Sequence, residues 1–235
     1  MKPELSVAAV QPACTAMDVT ANARAHADAI RAARARVVVF PELSITGYEL
    51  GAPAVDPADS ALRRIAEACA ERQSVALVGA PVVQDGRRFI ATLRVDADGA
   101  RVVYRKCHLG GDELHAHAAG DGPQAVSVDG WRLGMGICKD TGVAAHTAAT
   151  AALGVDAYVA GLVHLPEELG EQDARGQRIA AACNAYVVFA SFAGPTGGGY
   201  DATAGESTVW SPAGEVLARA TRAPGDVARA VLQPV

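Results

Sequence analysis

The stretch Val37-Val38-Val39-Phe40-Pro41-Glu42-Leu43-Ser44-Ile45-Thr46-Gly47-Tyr48 opens with an unbroken β-branched and aromatic run and stops at a proline. No polar residue alternates through Val37 to Phe40, so this strand reads as buried on both faces. A carboxylate, Glu42, follows as soon as the strand ends. A buried strand needs a layer on each side, which favours a mixed α/β sheet with helices on an outer face.

The segments on either side fit that frame. Upstream, Leu5 to Val10 reads as a strand. Asp18 to Ala35 reads as a helix, with Val19, Ala23, Ala27 and Ile30 on one face and Asp18 or Thr20 as cap. Downstream, Asp59 to Arg72 is a second amphipathic helix and Ser74 to Val83 a strand. Arg88 to Asp96 and Arg101 to Tyr104 flank the turn Asp96-Ala97-Asp98-Gly99 and form a hairpin. His108 to Pro123 is polar and aperiodic, hence a loop. Ala125 to Val128 and Trp131 to Ile137 are strands, and Val143 to Leu153 is a helix ended by Gly154. The strand Asp156 to Ala160 and the helix Leu169 to Ala182 come next. The strands Tyr186 to Ala190, Ser207 to Trp210, Glu215 to Ala218 and Val227 to Leu232 complete the chain, with a Gly-rich loop over Gly194 to Gly205. No linker, repeat or charge block divides it, so residues 1–235 read as a single domain.

Composition narrows the function. Half of the 235 residues are hydrophobic, 20% are charged, and the net charge is -5. That balance suits a globular chain and argues against a nucleic-acid or anionic-membrane surface. No apolar run is long enough to span a bilayer. The first ten residues carry no signal-peptide pattern, so a cytoplasmic location is expected. Cys14, Cys69, Cys107, Cys138 and Cys183 are odd in number and widely spaced, which gives no disulfide framework. Only Lys2, Lys106 and Lys139 of the 21 basic residues are lysine. Lysine offers a compact ammonium whose pKa moves readily on burial, a property arginine lacks.

Three loci place a reactive residue at the end of a buried strand, where sites in α/β sheets collect. Glu42 follows Phe40-Pro41. Buried there, a carboxylate is paired or raised in pKa, as a general base must be; exposed, it is an ordinary glutamate after a proline kink. Lys106 lies in Tyr104-Arg105-Lys106-Cys107-His108-Leu109, where the hairpin enters the long loop. Cys138 closes Gly134-Met135-Gly136-Ile137-Cys138-Lys139-Asp140, just before a helix. A helix N-terminus there favours the thiolate, and its backbone N–H groups suit an oxyanion. Read alone, Cys138 is equally a small buried hydrophobe.

Taken together, Phe-Pro-Glu with Thr-Gly-Tyr, Arg-Lys-x-His-Leu and Gly-x-x-Ile-Cys-x-Asp resemble the nitrilase superfamily of carbon-nitrogen hydrolases. Glu113, placed before Gly120, adds that family's second-glutamate spacing. Gln11, Asn22 and the segment Gly205 to Leu217 extend the resemblance over nearly the whole chain. It implies a four-layer α-β-β-α sandwich, paired as a homodimer or higher homo-oligomer through an outer helix layer. It also implies a thiol mechanism that needs neither metal nor cofactor. Cys138 would attack the carbon, Glu42 would move the proton, and Lys106 with the Lys139 N–H would hold the oxyanion. Glu113 would position Lys106. Tyr48, His117, Lys139 and Val163 are the candidates for the wall around a small-molecule amide substrate.

Some positions depart from the pattern. His117 stands where an aromatic residue is frequent, and Lys139 where an aromatic or neutral residue is. Together these two suggest a substrate bearing a carboxylate; alternatively, Lys139 contributes only its backbone N–H. Two other classes compete. His108, His115, His117 and Asp112 crowd one loop and suggest a metal site, although their spacing matches no established ligand set. A family fold that has lost catalysis and serves as a binding protein is the other. Within the enzyme reading, amide cleavage is favoured over nitrile cleavage.

Overall fold

The computed structural model describes residues 2–234. The first half of the chain runs β1 (Leu5–Val10), α1 (Val19–Ala33), β2 (Val37–Val39), α2 (Arg63–Arg72), β3 (Val75–Gln84), β4 (Arg87–Asp96) and β5 (Gly99–Arg105). A helical turn, α3 (Glu113–Ala116), lies in the loop that follows. The second half runs β6 (Ala125–Val128), β7 (Trp131–Ile137), α4 (Ala144–Ala151), β8 (Ala157–Leu162), α5 (Leu169–Cys183), β9 (Tyr186–Ser191), β10 (Thr208–Trp210), β11 (Val216–Arg219) and β12 (Val227–Leu232).

The strands form two six-stranded sheets, ordered β12-β1-β2-β3-β4-β5 and β11-β10-β9-β8-β7-β6. At the centre of the first, β1, β2 and β3 are parallel, with Val7 opposite Val37 and Val39 opposite Leu77. In the second, β7, β8 and β9 are parallel. The outer strands of both sheets pair antiparallel.

Strand alternation explains the layers. On one face of the first sheet, Leu5, Val7, Val37, Val39, Val75 and Leu77 meet Leu133, Met135, Ile137, Val159 and Val188 of the second. On its other face, Ala8, Val10, Val38, Phe40 and Val78 pack against Ala23, Ala27, Ile30 and Ile65 of α1 and α2. The outer face of the second sheet, with Tyr158, Ala160, Phe189 and Trp210, packs against Ile179 and Ala180 of α5. Because successive side chains point to opposite faces, a strand covered on both sides must be apolar throughout. Val37 to Phe40 meets that condition, and the result is the expected four-layer α-β-β-α sandwich. No helix among the described residues is long and apolar enough to cross a membrane.

Two differences from the sequence reading bear on the site. The aperiodic loop from His108 contains the turn α3, too short to show a hydrophobic period. The helix expected from Val143 forms, but Cys138 does not stand at its N-terminus. Cys138 opens a five-residue 3₁₀ helix, Cys138–Gly142, and α4 begins only at Ala144.

Candidate active site

Glu42, Lys106, Cys138 and Val163 each sit just past the end of a strand: β2, β5, β7 and β8 respectively. The Glu42 segment is pressed between the sheets by two glycines. A Cβ on Gly79 of β3 would come within 2.3 Å of the Pro41 oxygen, and one on Gly161 of β8 within 2.7 Å of the Glu42 nitrogen. From the helix side, Asn22 Nδ2 donates to the Ile45 oxygen at 3.0 Å. His26 bonds Ser44 Oγ at 2.8 Å and stacks on Phe40. The loop that carries Glu42 is therefore held from both sides.

Lys106 is the centre of charge. Its ammonium donates to Glu42 Oε1 at 2.6 Å and to Glu113 Oε1 at 2.7 Å, and it is almost wholly buried. Glu113 Oε1 also accepts from the Tyr48 hydroxyl at 3.1 Å, and Oε2 from the Gly110 N–H at 3.0 Å. Every oxygen of Glu113 is thus committed. Glu42 differs, because its Oε2 is buried with no partner. Burial raises the Glu42 pKa well above the ordinary carboxylate value; Lys106 opposes that, while Cys138 and Glu113 add to it. For Lys106, burial disfavours the charge, but Glu42, Cys138 and Glu113 outweigh it and hold the ammonium protonated above the usual lysine range. Burial, followed by the charges of Glu42 and Glu113, likewise raises the Tyr48 phenol.

Cys138 occupies a bent backbone, with φ +38 in the left-handed region that β-carbon-bearing residues seldom adopt. Its thiol is partly exposed and lies 3.3 Å from the Val163 oxygen. The turn is clamped by Thr141 Oγ1, which donates to the Cys138 oxygen at 2.6 Å. Asp140 clamps it more broadly. Oδ2 accepts from the Ile137 N–H at 3.1 Å and the Tyr104 hydroxyl at 2.8 Å. Oδ1 accepts from the His108 N–H and Nδ1, each at 2.9 Å. One fully buried carboxylate therefore joins residues flanking Cys138 to residues flanking Lys106. Behind it, Tyr104 is bonded to His146 Nε2 at 2.8 Å, and Tyr158 to His146 Nδ1 at 3.2 Å. With Tyr104 donating to Asp140, His146 Nε2 donates to Tyr104 and Nδ1 accepts from the Tyr158 hydroxyl, which is the arrangement of a neutral imidazole. Burial, which lowers the His146 pKa, agrees.

A cavity of about 320 Å³ opens onto these groups, lined by Tyr48, Leu50, Lys106, Asp112, Glu113, Cys138 and Lys139 together with Tyr200 and the glycines at 110, 111 and 198. Of the wall candidates, Tyr48 and Lys139 line it. Val163 offers its backbone oxygen to the thiol. His117 does not line the cavity; it ends α3, and its Nε2 accepts from Arg88 Nε at 3.1 Å. Burial, then the Arg88 charge, lowers its pKa to about 4. Tyr200 is a lining residue that no local signal in the sequence marked. The Gly194 to Gly205 loop reaches it by packing on Gly47 and Glu49, with Gly197 N–H donating to the Gly47 oxygen at 2.7 Å.

The crowded histidines do not converge. His108 serves Asp140, His117 serves Arg88, and His115 is exposed. Among the described residues, the group within metal-ligating distance is Cys107, Asp140 and His146, with ligand atoms within 4.8 Å of one another. The Tyr104 hydroxyl already bonds both Asp140 and His146 and lies 3.2 Å from Cys107 Sγ. It fills the position a metal would need.

Residues 6–234 match the family described as Carbon-nitrogen hydrolase. A Pseudomonas protegens protein described as "Hydrolase in pqqF 5'region" is 37% identical over 134 residues, which are 53% of this chain and 47% of that protein. The match thus spans about half of that relative's length. An (R)-stereoselective amidase from Pseudomonas sp is 28% identical over 196 residues, 79% of this chain and 69% of the relative. Among solved structures, Saccharomyces cerevisiae Nit3, described as a member of branch 10 of the nitrilase superfamily, superposes with a TM-score of 0.87 at 20% identity, covering 98% of this chain and 90% of that one. The amidase from Nesterenkonia sp. AN1 gives a TM-score of 0.87 at 23% identity, with coverage of 99% and 93%. Its active-site cysteine carries the acetamide moiety of fluoroacetamide in that structure.

Proposed function

The chain belongs to the carbon-nitrogen hydrolase family, within the nitrilase superfamily, and from that premise we propose that it cleaves the carbon-nitrogen bond of a small amide or carbamoyl compound through a thioester on Cys138. The supporting observation is the Lys106 ammonium held between Glu42 and Glu113 in the cavity that Cys138 lines. Glu42 takes the thiol proton as Sγ attacks the carbonyl carbon. The resulting oxyanion is stabilised by Lys106 and the Lys139 backbone N–H. Glu42 returns the proton to the leaving nitrogen, and ammonia or an amine departs. Water then attacks the thioester, giving its proton to Glu42. The acid leaves, and the proton passes back to Cys138. Splitting amide cleavage at a thioester replaces one difficult step with two easier ones.

Amides come ahead of nitriles because the stereoselective relative is named an amidase. All five cysteines are free, which supports work in a reducing compartment such as the cytoplasm. The exposed alanines Ala144, Ala145, Ala148 and Ala149 on α4 support pairing of two copies through the α4–α5 layer. Sedimentation at micromolar concentration tests this, and a monomer would refute it.

Ammonia release from a panel of small amides and carbamoyl amino acids tests the activity. It should vanish in Cys138→Ala. Release that survives the substitution, or a Cys138 thiol no more reactive than free cysteine, would overturn the reading.

A further inference from the structure

We propose that the Lys139 side chain binds a carboxylate on the substrate, so that the preferred substrates are short amides carrying a second, anionic end. This rests on the reading that Cys138 attacks an amide.

The other two lysines are already paired. Lys2 pairs with Asp156, and Lys106 with both Glu42 and Glu113. Among the described residues, Lys139 makes no ion pair, yet it lines the cavity beside Cys138. Its ammonium donates one hydrogen bond, to the Leu109 oxygen at 2.7 Å. An ammonium has three protons to donate, so two remain for a ligand. The position is also built. The Lys139 stem crosses Gly110 so closely that a Cβ there would lie 3.1 Å from Cδ and 3.4 Å from Nζ. With Gly110 beneath and Leu109 fixing the tip, the ammonium is placed before substrate arrives.

The rest of the cavity leaves this task to Lys139. Lys106 is charge-balanced by its two carboxylates, and its remaining proton is the one assigned to the oxyanion. Apolar surface is also part of the lining, from Leu50 and the edge-to-face rings of Tyr48 and Tyr200, whose centroids are 5.2 Å apart. That surface suits the methylenes between an amide and an acid. Of the two carboxylates in the lining, Glu113 is spent on Lys106, Tyr48 and Gly110, and Asp112 is exposed to solvent. The alkyl end of a neutral amide offers this ammonium no acceptor, whereas a carboxylate there gains a charge-assisted hydrogen bond.

The test compares kcat/KM for succinamate against butyramide, and for glutaramate against valeramide. In the wild type the anionic member of each pair should be preferred. Lys139→Gln should lower that preference about tenfold or more, the size of one charge-assisted contact. Lys139→Arg should restore much of it, which a merely structural lysine would not allow. A preference unchanged by Lys139→Gln, or a wild type that favours the neutral amides, overturns the proposal. A second readout needs no turnover: the rates at which iodoacetate and iodoacetamide alkylate Cys138, followed on the Cys138 peptide by mass spectrometry. Lys139→Gln should slow iodoacetate selectively. If no amide is hydrolysed, the proposed reaction fails, while this ratio still decides whether Lys139 attracts a carboxylate.

Discussion

Glu42 meets Lys106 through one oxygen only: Oε1 lies 2.6 Å from the ammonium, while Oε2 is buried and bonded to nothing. The free oxygen is the one available to a thiol proton. Burial lifts the Glu42 pKa and Lys106 only partly reverses this. Below that raised pKa, Glu42 is protonated and cannot serve as base, so activity is lost as pH falls through it. The acid limb of kcat/KM should therefore lie above the ordinary carboxylate range. Glu42→Gln should lower kcat by about 10² to 10⁴ and remove that limb. A pH profile of both proteins checks it.

Gly161 and Gly79 are predicted to be as necessary to activity as the charged residues, although neither touches the cavity. A methyl at Gly161 would collide with backbone of Phe40 and Glu42, at 2.6 and 2.7 Å. Backbone wedged between two sheets has no room to yield. Gly161→Ala should cost about 1–3 kcal/mol of stability and reduce kcat severely by shifting Glu42. Denaturant unfolding and turnover measured on the same preparation separate the two effects.

The parts of this arrangement carried by local pattern were legible in the sequence. Val37 to Phe40 announced a doubly covered strand because a buried central strand tolerates no polar alternation. Glu42, Lys106 and Cys138 were visible because each follows such a run. Asp140 was visible only as a letter of a motif. Its role depends on Tyr104 and His108, more than thirty residues away in sequence, and no periodicity reports such pairing. His117 was expected at the pocket, but its partner is Arg88 of β4, a contact made by the return of the loop over the hairpin. Tyr200 was hidden for the same reason, in a loop whose glycines gave no register. The helix expected over Val143 to Leu153 forms over Ala144–Ala151, but Cys138 does not stand at its N-terminus, because a 3₁₀ turn held by the Asp140 clamp comes between them.

Asp140→Asn tests the link between nucleophile and cation. Both oxygens of Asp140 accept, on one side from Ile137 and Tyr104 and on the other from His108. An amide must turn its NH₂ toward one of these donors, so at least one buried N–H or O–H loses its partner. That should cost about 1–3 kcal/mol of stability. The Cys138 turn should also loosen relative to Lys106, so kcat should fall more than KM rises. Unchanged kcat in a folded Asp140→Asn protein would show that Asp140 serves the fold alone.

Glu113 and Tyr48 should form a graded series. Glu113 accepts from Lys106 and Tyr48 at Oε1 and from the Gly110 N–H at Oε2, so it too has no place for an amide NH₂. Glu113→Gln removes one of the two charges that fix Lys106 and sets a donor against a donor. Lys106 would then lean on Glu42 alone, which pulls the base toward its ionised form and the ammonium away from the oxyanion. We expect kcat/KM to fall about a hundredfold, consistent with the loss of a charge-assisted contact and its geometry. Tyr48→Phe deletes one neutral donor to a carboxylate that keeps its other two, and should cost about tenfold or less. Because both substitutions act through the same carboxylate, the double variant should be little worse than Glu113→Gln alone. A double-mutant cycle on kcat/KM measures this directly. Fully additive losses would mean that Tyr48 acts on the substrate independently of Glu113.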